Sequence, residues 1–93
     1  MAEEARLEAY LKRQVTKHGG LTLKFTSPSV RGVPDQLVIF GKSGPVFIEL
    51  KASNGRLHPL QKAMHAKLER HGATVYVVSS RQAIDELLLK IGA

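Results

Sequence analysis

Residues 34–51 read Pro34-Asp35-Gln36-Leu37-Val38-Ile39-Phe40-Gly41-Lys42-Ser43-Gly44-Pro45-Val46-Phe47-Ile48-Glu49-Leu50-Lys51, and their pattern decides the fold class. Two apolar runs, 36–40 and 46–50, flank Gly41-Lys42-Ser43-Gly44-Pro45, a composition that suits a chain reversal. The stretch predicts a β-hairpin. Setting Phe40 opposite Pro45 across the turn places Asp35 opposite Leu50 and Gln36 opposite Glu49, so that both carboxylates reach the open end of the hairpin. Because strand side chains alternate, Phe47, Glu49 and Lys51 share one face while Val46, Ile48 and Leu50 share the other.

Upstream, residues 27–34 carry two prolines and a glycine and read as a loop that delivers Asp35 to the hairpin. Residues 21–26 alternate Leu21, Leu23 and Phe25 with Thr22, Lys24 and Thr26, the period of a half-buried strand. Before them, Leu7, Leu11 and Val15 recur every fourth position in a charged stretch, 3–18, that stops at Gly19-Gly20, which predicts an amphipathic helix. Downstream, the polar residues 52–56 form a second loop, and Pro59 opens a helix with a Leu60, Met64, Leu68 stripe that ends at Gly72. Residues 74–78 are β-branched and nearly all apolar, as expected of a central strand buried on both faces. Ser79 and Gln82 suit a capping box for a last helix whose buried face is Ile84, Leu87, Leu88 and Ile91. The order α-β-β-β-α-β-α predicts one α/β domain over 1–93, a mixed β-sheet flanked by helices.

Composition narrows the chemistry. A chain of 93 residues forms a single core that buries only about 60–65% of the unfolded surface, so a second copy would add stability. No apolar run approaches the roughly 18 residues of a membrane span, and residues 1–13 read as helix and not as a leader, so an intracellular location is expected. The absence of cysteine excludes disulfides and zinc fingers and restricts any metal to oxygen or imidazole ligands. Fourteen Lys and Arg against eight Asp and Glu give a net charge of +6, which favours a polyanionic partner. With only five aromatic residues the chain lacks the stacking platform of a single-strand reader, and structured or duplex DNA fits better.

Asp35 stands fourteen residues before Glu49, with a hairpin between them that returns the chain. Two hard oxygen ligands at one point suit Mg²⁺ or Mn²⁺, with the Leu50 backbone carbonyl as the simplest third contact. Such an ion would activate a water and stabilise the charge that develops on a phosphodiester under attack. Lys51 is expected to act catalytically on that water or on that charge. The four histidines do not form a metal clamp, although His65 follows Gln61 by one helical turn, and no zinc is expected.

Gly32-Val33-Pro34-Asp35, then Phe47-Ile48-Glu49-Leu50-Lys51, then Gln61 together resemble the virus-type replication-repair nuclease (VRR-NUC) domain of the PD-(D/E)xK superfamily. The resemblance extends from the first helix to the last. It implies a restriction-endonuclease-like fold and metal-dependent DNA cleavage, with Asp35, Glu49 and Lys51 catalytic and Gln61 in support. The family's early helix-one glutamate matches Glu8 best, with Glu4 as a competitor, and its frequent basic residue on the first strand matches Lys24. Compact phage and bacterial members resemble dimeric Holliday-junction resolvases, which implies a homodimer acting on branched or duplex DNA. A C₂ pair would set two sites on two strands. Ser27, Ser29, Arg31, Asn54 and Arg56 lie in the loops beside the carboxylates and are candidate DNA-backbone contacts. The rival readings are a non-catalytic nucleic-acid-binding module, a nickase or flap-type nuclease of the same fold, and an interaction subunit.

Overall fold

The computed structural model describes residues 2–92; Met1 and Ala93, the ends of the expected 1–93 domain, lie outside the described residues. The elements are α1 (Glu3–Lys17), β1 (Leu21–Lys24), β2 (Gln36–Ile39), β3 (Pro45–Leu50), α2 (Pro59–Arg70), β4 (Val75–Val78) and α3 (Arg81–Gly92), in the expected order. They build one four-stranded mixed sheet ordered β1-β2-β3-β4, antiparallel except for the parallel β3–β4 pair.

The hairpin forms, with a register one residue away from the expectation. Ile39 pairs with Pro45 and Gln36 with Ile48, so Phe40 belongs to the turn. Gly41 and Gly44 both adopt left-handed backbone, at φ 64° and 76°, and the Ser43 hydroxyl donates to the Phe40 carbonyl at 3.1 Å. This longer turn frees Phe40 to bury its ring in the core. β4 is also corrected. It lies at the sheet edge beside β3, not in the centre, and Val77 is 46% exposed on the side away from α1 and α3.

Every fourth residue of α1, namely Leu7, Leu11 and Val15, is buried against Val38, Val46, Ile48 and Leu50 and against Ile84, Leu87, Leu88 and Ile91 of α3. These two helices therefore cover one face of the sheet and make the core. α3 starts one residue later than the expected cap, because Ser80 and not Ser79 accepts the Ala83 N–H, at 3.0 Å. Gln82 bonds Glu86 instead, at 3.1 Å.

The other face is covered only in part. α2 packs toward β4 and turns Gln61, Met64, His65 and Leu68 inward, while Leu60, expected in the buried stripe, is 56% exposed. Beyond its reach the alternating residues of β1 are open, with Leu21 51% and Leu23 44% exposed. The expected half-buried strand is thus an edge strand with its apolar side outward.

The loop before β2 is fixed by Gly32, whose φ is 86° and whose α-carbon faces the first turn of α2 closely enough that a β-carbon would fall on the Leu60 carbonyl. Substitution G32A combines left-handed strain of about 1–2 kcal/mol with that backbone clash. It should lower Tm by roughly 10 °C or more in thermal unfolding.

Candidate active site

β3 alternates Val46, Ile48 and Leu50 into the helical core, which leaves Glu49 pointing to the opposite face beneath α2, only 6% exposed. A carboxylate so placed is costly unless nitrogen donors or cations meet it. Three do. Gln61 Nε2 donates to Oε2 at 3.4 Å, Lys51 Nζ lies 3.8 Å from Oε2, and His65 Nε2 lies 3.7 Å from Oε1. Gln61 is itself held by the start of its helix, since its Oε1 accepts the His58 N–H at 2.9 Å. The side-chain amide thus ties the first turn of α2 to the strand carboxylate.

Asp35 precedes β2, and its backbone is fixed because its carbonyl accepts the Phe25 N–H at 2.8 Å, one step past the Lys24–Gln36 pair. The corrected β2–β3 register, continued by one residue, sets Asp35 across from Glu49. This is a more direct meeting than the expected one. Its side chain is exposed, so the pair combines one buried and one accessible carboxylate.

Burial, more than any neighbour, pushes the Glu49 carboxyl up to about 7; Lys51 opposes this, while the charges of Asp35 and Glu4 add to it. The carboxyls of Glu49, Asp35 and Glu4 face the single ammonium of Lys51 here, and a dication bound alongside would offset their charge. The donors are hard oxygens, which suits Mg²⁺ or Mn²⁺. Among the described residues no three His, Cys, Asp or Glu side chains form a metal-binding group, so a third protein ligand would come from the backbone, and the Leu50 carbonyl adjoins Glu49 in the chain. The residues fit such an ion.

The remaining sequence candidates divide. Glu8 and Lys24 meet each other at 3.4 Å, and the helix-one glutamate whose charge bears on Glu49 is Glu4. Ser27 is half-buried, whereas Ser29, Arg31, Asn54 and Arg56 are exposed in the loops before β2 and after β3. Two residues outside the sequence-based set also matter. Glu3 holds the second loop, accepting the Ser53 N–H at 3.0 Å and its hydroxyl at 3.3 Å. His65 touches Glu49, and its spacing of one turn after Gln61 was the signal that could have found it.

Comparison with known proteins gives a consistent set of relatives. The family model of the VRR-NUC domain matches residues 3–82. "Putative nuclease p44" of Acyrthosiphon pisum secondary endosymbiont phage 1 is 38% identical over 81 residues, 87% of each chain. A solved "VRR_NUC domain" superposes with a TM-score of 0.87 at 32% identity, covering 96% of this chain and 97% of the other. A "VRR_NUC domain protein", at 14% identity and TM-score 0.70 over 99% and 92% of the two chains, shares the fold.

The raised Glu49 pKa makes the metal-free protein depend on pH. Between the ordinary value of 4.5 and about 7 the folded state holds a proton that the unfolded state has released, so stability falls as pH rises through that window. The loss is about 3 kcal/mol at most. In EDTA, Glu49→Gln should melt above wild type at pH 8 and level with it near pH 5. Saturating Mg²⁺ should stabilise wild type at pH 8 and not the variant.

Proposed function

The chain belongs to the VRR-NUC domain family, and from that premise we propose that this nuclease is a metal-dependent DNA endonuclease whose centre is Asp35, Glu49 and Lys51. The observation that carries the reading is the meeting of exposed Asp35 with buried Glu49 across the β2–β3 pair, with Lys51 Nζ 3.8 Å from the buried carboxylate. Asp35, Glu49 and the Leu50 carbonyl would hold Mg²⁺ or Mn²⁺. When bound, the ion supplies Lewis-acid polarisation of the phosphate and a more acidic water.

The chain's own groups do the rest. Lys51 Nζ, next to the Glu49 carboxylate and 12% exposed, orients the attacking water or offsets the charge gathering on the phosphate oxygens. Gln61 keeps Glu49 in place through its amide and so preserves the ligand geometry. The flanking loops supply backbone contacts to DNA from Ser27, Arg31, Asn54 and Arg56, within a chain whose net charge is +6. Lys24, paired with Glu8 yet 63% exposed, can add another.

Each chain carries one such centre, so cutting both strands of a duplex or a four-way junction calls for two copies. The open β1–β2 face, with Leu21, Leu23 and Ile39 exposed, supports a homodimer in which a second copy covers it. Among the described residues no helix is long and apolar enough to cross a membrane.

Cleavage of labelled duplex, flap, splayed-arm and four-way-junction DNA in Mg²⁺ or Mn²⁺ tests the reading. Wild type should cut, with branched DNA preferred, while Asp35→Ala and Lys51→Ala should each lose at least about a hundredfold in rate and still bind DNA. Tight binding without metal-dependent cutting by wild type would favour the non-catalytic binding module.

A further inference from the structure

His65 is the one buried residue of α2, 6% exposed, and its Nε2 has no hydrogen-bond partner. Orphaned polar atoms are uncommon in folded interiors, since each forfeits a solvation it had in the unfolded chain. An apolar residue would fill this inward position of α2 at less cost. What the imidazole offers in exchange is its direction, because Nε2 lies 3.7 Å from Glu49 Oε1.

The arrangement around Glu49 is then nearly symmetric. Gln61 Nε2 engages Oε2 at 3.4 Å, and one helical turn later His65 Nε2 faces Oε1. Both groups project from the same side of α2, and the helix start that anchors Gln61 is fixed by the His58 N–H. We propose that His65 is a positioning residue for metal binding: its Nε2–H donates to Oε1 of Glu49 and, with Gln61, clamps that carboxylate as a metal ligand. The proposal rests on the metal-dependent reading given above. At 3.7 Å the contact is longer than a formed hydrogen bond, so a small shift of either side chain closes it.

His65 does not touch the metal or the DNA in this role. Groups that orient metal ligands in this way change metal affinity by about 10- to 100-fold when removed. An alternative role, His65 as a ligand through the same nitrogen, requires the opposite tautomer, with the proton on Nδ1 and the Nε2 lone pair free.

The test combines Mn²⁺ titration calorimetry with a tautomer measurement on the intact chain. His65→Leu should bind Mn²⁺ at least about tenfold more weakly than wild type, while His65→Gln, whose Nε2 keeps a donor at similar reach, should stay within about threefold of wild type. A purely structural residue would lower Tm in both variants and leave the Mn²⁺ affinity of the folded fraction unchanged, and that result would overturn the proposal. Long-range ¹H–¹⁵N spectra of wild type in Mg²⁺ need no variant to fold. They should show His65 as the Nε2–H tautomer, and an Nδ1–H tautomer would overturn the proposal in favour of direct ligation. Failure of wild type itself to bind Mn²⁺ would overturn the metal-dependent reading first, and is distinguished from failure of the His65 proposal because no variant is involved.

Discussion

A single buried carboxylate sets the terms for the candidate site of this molecule. Glu49 occupies a strand position that alternation assigns to the face opposite the main core, and α2 closes over it. Ionising it there is unfavourable; Lys51, Gln61 and His65 present nitrogens to it, while the charge of Asp35, across the neighbouring strand, adds to the cost. Lys51 relieves only part of the cost, and burial leaves the carboxyl pushed up to about 7. Carboxylate oxygens in that setting suit a hard dication, the ion proposed above.

The rest of the fold serves to hold that point rigid while leaving it reachable. α1 and α3 cover the β2–β3 centre of one sheet face, so Val38, Val46, Ile48 and Leu50 sit on a fixed floor of Leu11, Val15 and Ile84. α2 covers only the β3–β4 half of the opposite face, and Asp35 lies at the margin of that cover, where it is exposed. Two loops frame the margin. The first is pinned to α2 by the close approach of Gly32 to Leu60, and the second is pinned to α1 by the Glu3–Ser53 hydrogen bonds. The β1–β2 half stays uncovered, with Leu21, Leu23 and Ile39 exposed.

Much of this was legible in the sequence because it depends on periodicity and on rare residue types. The four-residue recurrence of Leu7, Leu11 and Val15, the Ile84–Ile91 face and the carboxylates bounding the hairpin each leave a clear pattern, and the Pro34-Asp35 and Glu49-Leu50-Lys51 motifs carried the family. The errors arose where several structures share one pattern. A run such as Val75-Tyr76-Val77-Val78 suits a central strand or an edge strand next to a parallel neighbour, and only the tertiary arrangement separates them. Turn length depends on two glycines taking positive φ, which shifted the register by one residue and brought Asp35 opposite Glu49. On α2 the stripe Leu60, Met64, Leu68 steps by four where the helix steps by 3.6, and the inward face runs through Gln61, Met64, His65 and Leu68 instead. A histidine on that face is invisible to an apolar count. Glu3, Glu4 and Glu8 likewise share the first turns of α1, and spacing alone could not assign the loop contact to Glu3, the charge on Glu49 to Glu4 and the Lys24 ion pair to Glu8.

If Asp35 and Glu49 together seat a divalent cation, the anomalous signal of a crystal grown with Mn²⁺ should show one peak per chain between the two side chains, with carboxylate oxygens of both residues at roughly 2–2.3 Å. A map with no peak there, or with Mn²⁺ bound only at other residues, would contradict it.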